Sequence, residues 1–416
     1  MGAGGAGRAA HRRHGLTHTA PVPDLPLADV RVLDLTQILA GPYCTMMLAD
    51  LGADVVKIER PGGGDGSRQW GPPFVAGESA YFLQVNRNKR SVAIDLKQPE
   101  GVRVAQRLAA GADVVIENFL PRAGERFGLD ATSLRAAHPA IVHCSIRGYP
   151  TGHPEAARPG YDFVMQGIGG IMSLQGEPDG EPIKVAVAIS DIVAGQFASS
   201  AILAALLRRG RTGEGATLEV SLLDAQVAWL ANRGGDWLIG EIEPVRLGNA
   251  HPSIVPYQTF RAEDGYVNLA VGTDEQFARL CREAGLDEIG ADPDFRTNRL
   301  RVTHRERLVP AMAGTIAGRT VSHWLGVLDR AGVPGGPVLS VPAALAGPAA
   351  HTVETIDHPT AGPLRMIGSP MQIDGDRLHA RRPPPRLGEH TAEVLAEAGY
   401  PAGEIAQLLT GACAPG

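Results

Sequence analysis

The sequence predicts an α/β chain, with a large domain on an open parallel sheet and a smaller α/β domain inserted in it. Two observations carry this. Over the first 150 residues, short Val- and Leu-rich runs alternate with helical stretches, the pattern of right-handed βαβ units. From residue 245 the pattern changes to a hairpin followed by amphipathic helices. The length of 416 residues admits two to three domains at about 150 residues each.

The elements follow in order. VRVLDL (30–35) reads as the first strand. Gly41-Pro42 then opens a helix that ends at Gly52, with Pro suited to a first turn and Gly to a helix end. DVVKIE (54–59), SVAIDL (91–96), DVVIEN (113–118) and IVHCSI (141–146) read as further strands, with helices over 99–110 and 131–137. This arrangement is of Rossmann type. Residues 160–175 are Gly-rich and apolar, and 191–208 form a small-residue helix suited to close packing. Residues 219–232 turn from strand to helix. YQTFRAEDGYVNLAV, from Tyr257, reads as a hairpin turning at Asp264-Gly265. Helices are expected over 274–284, 305–316 and 321–331. The expected organisation is a flexible extension over 1–26, a large domain over 27–225, a linker over 226–244, a small domain over 245–340, and a return over 341–416. RPPPRLGEHT (382–391) reads as a stiff tether ahead of a helix starting near Thr391.

Composition excludes several classes. Apolar residues make up 44% and charged residues 20%, which suits a globular core and not a disordered chain. The net charge of −6 makes nucleic acid an unexpected partner. Gly 52 and Pro 32 lie between apolar runs without a repeat. Cys44, Cys144, Cys281 and Cys413 have no metal or disulfide spacing, so no metal and a reducing, cytoplasmic setting are expected. No stretch reads as a membrane span. The N-terminus lacks the apolar core of a secretory signal.

The usual catalytic signatures are missing. No Walker A, G-x-S-x-G or H-E-x-x-H occurs. The residues after the first strand, Ala40-Gly41-Pro42, are not the glycine fingerprint of a dinucleotide site. Basic residues do recur where loops meet strands: Arg60, the run NRNKR with Arg87 and Lys89, Arg122, Arg126 and Arg147, with Asn118 among them. Ligands bind beyond the carboxyl ends of such strands, so these cations suit a ligand with several phosphates. His143 reads as a core residue. Asp162 sits in apolar, Gly-rich surroundings and needs donors, which Gly167, Gly169 and Gly170 could offer; helix capping and catalysis are both open for it. Asp191 reads first as the N-cap of the helix that follows.

The motifs VLDLTQILAGPYCTMMLADLGADVVKIERPGGGD, YFLQVNRNKRSVAIDLK, GYDFVMQGIGG, GNAHPSIVPYQTF and RPPPRLGEHT, in this order, resemble the family III CoA-transferases, also called CaiB/BaiF. The finer pattern looks most like the succinyl-CoA:glutarate (hydroxymethylglutarate) branch. The resemblance implies a ring-shaped chain interlocked with its twin as a homodimer. It implies acyl-CoA and carboxylic acid substrates, with no membrane partner. It implies CoA contacts at Ala40, Arg60, Arg87, Lys89, Asn118, Phe119, Arg126 and Arg147, and a nucleophile at Asp162 that forms an anhydride and then a CoA thioester. Oxyanion donors are expected in the 167–170 loop, and Tyr161, Gln166, Asp191 and His251 on the substrate side. AHPSIVPY (250–257) stands where some relatives carry a glycine-rich flap.

Two other readings share the fold. An α-methylacyl-CoA racemase needs a His before the first Asp, where Tyr161 stands, and a second acid, which Asp191 matches. A non-catalytic CoA-binding protein is the third reading.

Overall fold

The structure, a computed structural model, describes residues 25–120 and 122–414. Most of the extension expected over 1–26 lies outside the described residues. Two compact units appear. The first holds the described residues up to Gly169, Val187–Trp229, and the chain from Thr352 onward; the second holds Gly170–Ala186 and Leu230–His351.

The first unit is built on six strands: β1 (Arg31–Leu35), β2 (Asp54–Glu59), β3 (Lys89–Ala93), β4 (Val114–Glu117), β5 (Val142–Arg147) and β6 (Ala216–Ser221). They lie in the order β3-β2-β1-β4-β5-β6, and every pairing is parallel. The chain thus winds outward in both directions from β1, and the point of reversal between β1 and β4 leaves a crevice at their carboxyl ends. Helix α1 (Ala40–Asp50) follows β1, and α2 (Pro99–Ala110) joins β3 to β4. Pro99 at its first turn and Glu100 beside it suit the α2 N-terminus, and Val104, Ala105, Leu108 and Ala109 make its buried face. Leu33, Leu35, Val56, Ile58, Val92 and Val115 share that core with Val394, Leu395 and Leu408. The chain's last helices therefore help cover one sheet face.

After β5 come α3 (Asp162–Ile168), the long α4 (Ile189–Thr212) and α5 (Leu222–Ala228). Small residues let α4 approach α1: a Cβ on Gly195 would stand 2.6 Å from the Ala40 carbonyl oxygen. Helix α4 has 24 residues, and its most apolar 18-residue stretch has mean hydropathy 1.5, so by length and composition it could cross a membrane. This corrects the expectation that no stretch approaches a span. Half of that stretch is buried within the protein, which is the ordinary condition of a core helix.

In the second unit, α6 (Ala231–Leu238) occupies part of the expected linker over 226–244. Strands β7 (Tyr257–Arg261) and β8 (Tyr266–Ala270) form the expected hairpin, and Gly335–Pro337 pairs with β8 as a third strand. Helices α7 (Asp274–Ala284), α8 (Arg305–Ala317) and α9 (Val321–Ala331) pack on it through Phe277, Leu280, Leu308, Met312 and Trp324. The unit is wider than 245–340, since 170–186 and 341–351 belong to it. Residues 382–390 form no strand. They are tied to the sheet region of their own unit through Arg68 to the Pro385 carbonyl (3.0 Å) and the Gly388 N–H to Ser91 Oγ (2.9 Å).

Candidate active site

A cleft of about 400 Å³ opens at the carboxyl end of the parallel sheet. Its walls include the turn after β1 (Gln37 to Ala40), Asn118 and Phe119 after β4, Arg147 at the end of β5, Tyr161, and Asp191. This is the crevice that the strand order creates.

Asp162 is the first residue of α3, next to Tyr161 on the wall. One carboxylate oxygen accepts the Ser190 backbone N–H at 2.8 Å, and the other accepts from Gln166 Nε2 at 2.9 Å. Ser190 is the second residue of α4, so Asp162 satisfies one of that helix's free amides from outside. Gln166 is fully buried, and its amide also reaches the Val187 carbonyl at 3.3 Å. Ser190 Oγ donates to Gln226 Oε1 at 2.8 Å. The nucleophile candidate is thus aimed by a helix terminus and a fixed amide, one turn along its own helix.

Asp191 does not cap α4, as expected from sequence. The cap position is Ala188, without a side-chain bond, and Asp191 lies in the first turn with a place on the cleft wall. Burial, and then the charge of Asp162, push its carboxyl up to about 7. Tyr81, which sequence reasoning did not single out, lies close enough to feel both acids. Burial first, then Asp191 and Asp162, raise its hydroxyl above the ordinary tyrosine value. Arg158 also lines the cleft. Its signal was its place four residues before Asp162 in RPGYD.

The glycines do not form the expected donor loop. Gly167 lies inside α3, where its amide belongs to the helix ladder, and the Gly169 N–H donates to the Met165 carbonyl at 2.8 Å. They sit at the far end of a helix that rises about 1.5 Å per residue away from Asp162. A Cβ on Gly169 would stand 2.5 Å from Gln226 Cγ, so its smallness serves packing. Gly170, at φ +87, begins the second unit. His251 also belongs to that unit, where its Nδ1 accepts the Ser253 N–H at 3.2 Å and its ring lies 5.2 Å from Tyr257.

The cations divide into two groups. Arg147 lines the cleft, with Glu219 at 3.4 Å. Arg60 is exposed at the end of β2, where its Nε donates to the Gly64 carbonyl at 3.1 Å. Arg126 is exposed and stands 5.8 Å over the Phe127 ring, which meets Phe119 edge-on. The run NRNKR is different, and its expected role at the site is corrected. Arg87 is 2% exposed and ion-paired with Asp50 at 2.5 Å. Lys89 is fully buried, 3.4 Å from Asp34, and donates to the Pro42 carbonyl and Asn86 Oδ1 at 2.8 Å each. The run enters β3 at its amino end, so its side chains point charge into the fold and not into the cleft. Among the described residues no cluster of three or more His, Cys, Asp or Glu could hold a metal.

The profile of CoA-transferase family III matches residues 27–391. The succinyl-CoA:glutarate CoA-transferase of Mus musculus is 42% identical over 388 residues, covering 92% of this chain and 89% of that protein. The succinate–glutarate CoA-transferase of Agrobacterium fabrum is 43% identical over 384 residues, covering 89% and 95%. A crystal structure of a CaiB/BaiF family protein from Brucella suis superposes with TM-score 0.81 at 41% identity, covering 90% of this chain and 99% of that one. The chain belongs to CoA-transferase family III and is a CoA-transferase.

Proposed function

We propose that the protein moves CoA from succinyl-CoA to glutarate, with Asp162 as the covalent carrier. The observation that carries the reading is the Asp162 carboxylate, held by the Ser190 amide and the Gln166 side chain beside a cleft with Arg147 and Asn118 on its walls. The names of the two relatives supply the substrate pair.

The Asp162 carboxylate attacks the succinyl thioester carbonyl. The tetrahedral oxyanion collapses, CoA thiolate leaves, and a succinyl-aspartyl anhydride remains. The thiolate attacks the aspartyl carbonyl, releasing succinate and leaving an aspartyl-CoA thioester. A glutarate carboxylate attacks that thioester and expels the thiolate again. The thiolate then takes the glutaryl group, and Asp162 is free. The oxyanions need preorganised donors. The backbone amides of Leu39 and Ala40 are the candidates, since they meet no acceptor among the described residues and their residues line the cleft. Arg60, Arg126 and Arg147 would attract the phosphates of CoA, with Phe119 beside them. Tyr161, Asp191 and His251 are assigned to the substrate side.

The assembly follows the same reading. We infer an interlocked homodimer with the second unit as an insertion. Support comes from Trp237, Leu238 and Ile239, which are 57%, 80% and 88% exposed in a single chain, an apolar patch that a partner copy would cover. The four free, buried cysteines support a reducing, cytoplasmic setting. Incubation with succinyl-CoA followed by hydroxylamine should leave a hydroxamate at Asp162, read by mass spectrometry. Full transfer activity in Asp162→Ala would end this reading.

A further inference from the structure

The turn between β1 and α1 is held by side chains from outside it. The Thr36 N–H donates to Asp34 Oδ1 at 2.9 Å. Asn118 clamps Gln37 twice, accepting its N–H at 3.0 Å and donating to its carbonyl at 2.9 Å. The Ile38 N–H donates to Asp65 Oδ1 at 3.0 Å. Asp65 is 1% exposed and lies after β2. Its carboxylate is oriented by the Ser67 N–H and Oγ at 2.9 and 2.8 Å, and paired with Lys57 at 2.9 Å. Lys57, fully buried, also donates to the Thr36 carbonyl at 2.7 Å.

This anchoring has an unusual product. Ile38 has φ +73. A β-branched residue takes the left-handed region only when its surroundings impose it. The reversal comes directly before Leu39 and Ala40, whose amides meet no acceptor among the described residues and whose helix has no side-chain cap. Ile38, Leu39 and Ala40 all line the cleft.

We propose that Asp65, held by Lys57, is a positioning residue for CoA transfer: it imposes the left-handed turn at Ile38 and so aims the Leu39 and Ala40 amides at the reacting carbonyl. This rests on the reading that acyl transfer takes place in the cleft beside Asp162. Asp65 touches no substrate; it acts through Ile38.

The test is steady-state transfer from succinyl-CoA to glutarate by the full chain. Asp65→Asn keeps a weaker acceptor for the Ile38 N–H, and kcat should fall about tenfold with KM for succinyl-CoA held within about threefold. Adding Ile38→Gly to D65N should raise kcat again by about threefold or more, because glycine takes a left-handed turn without being forced. A merely structural role gives a lower Tm, an unchanged kcat per folded molecule and no rescue, and that result overturns the proposal. If D65N fails to fold with Lys57 left unpaired, Lys57→Met combined with D65N removes both charges together. That pair should show the same loss of kcat, and a wild-type kcat in it is equally fatal. Hydroxylamine trapping separates two kinds of failure. No adduct at Asp162 in the wild-type protein rejects the site itself, and this proposal with it. A normal adduct in wild type and an equally fast one in D65N rejects only the role of Asp65.

Discussion

Asp34, on β1, and Asp191, in the first turn of α4, are carboxylates of the same unit, and both are largely withdrawn from water. They titrate in opposite directions. Burial works against the charge of Asp34, but Lys57, Lys89 and the Thr36 and Thr45 hydroxyls outweigh it and bring its carboxyl down to about 2. Asp191 has no such company: burial and the neighbouring Asp162 bring it up to about 7. The difference lies in what is paired. Beneath the turn, Asp34, Lys57, Asp65 and Lys89 answer one another's charges and hold the backbone. Beside the cleft, Asp191 feels the charge of Asp162, which is held by the Ser190 amide and the Gln166 side chain. Buried charge that is fully answered is architecture, and charge that is only partly answered is available for chemistry.

The comparison can be broken most directly at Asp162. Asp162→Asn keeps its size and one acceptor but removes the proposed nucleophile, so kcat should fall about 1,000-fold or more while the fold persists; circular dichroism and a transfer assay read both. The paired region should answer in stability instead. Lys89→Met leaves Asp34 with one cation fewer in a buried setting, and urea unfolding should show a loss of about 3–5 kcal/mol. The cleft rim comes next. Arg147→Ala should raise KM for acyl-CoA about tenfold at low salt and barely move kcat, with the difference shrinking as salt rises.

The smallest effect concerns pH. A carboxyl whose folded pKa is raised binds its proton more tightly in the native state, so native stability is greatest below the unfolded pKa. It is then lost as pH rises toward about 7, the folded value for Asp191. Asp191→Asn should remove that slope and raise Tm by a few degrees at pH 8, measured by thermal unfolding across pH 4–8. An unchanged slope would show that the Asp191 carboxyl is not raised in the folded protein.

Much of the fold was legible. The strand over 54–59 and helices near 99–110, 131–137, 274–284 and 321–331 were readable, because apolar periodicity and end signals agreed there. Asp162 stood out because an acid among apolar residues and glycines needs an explanation. What could not be read was which cations reach the cleft. Arg87 and Lys89 look like a ligand-binding run in one dimension, yet their partners Asp50 and Asp34 lie 37 and 55 residues away. The glycines at 167 and 169 promised free amides, but an α-helix had already used them. Asp191 looked like a cap because caps are judged by position, and the helix began two residues earlier than expected.

The contact between Gly195 and the Ala40 carbonyl has a consequence for the shape of the whole cleft. Ala40 starts one wall, and Asp191, one helical turn before Gly195, starts the other. The helices bearing those walls touch where a side chain is absent. A single methyl group there would act as a spacer, prising the Leu39 and Ala40 amides away from Asp191 without altering either. The width of the cleft is therefore gauged by a hydrogen atom.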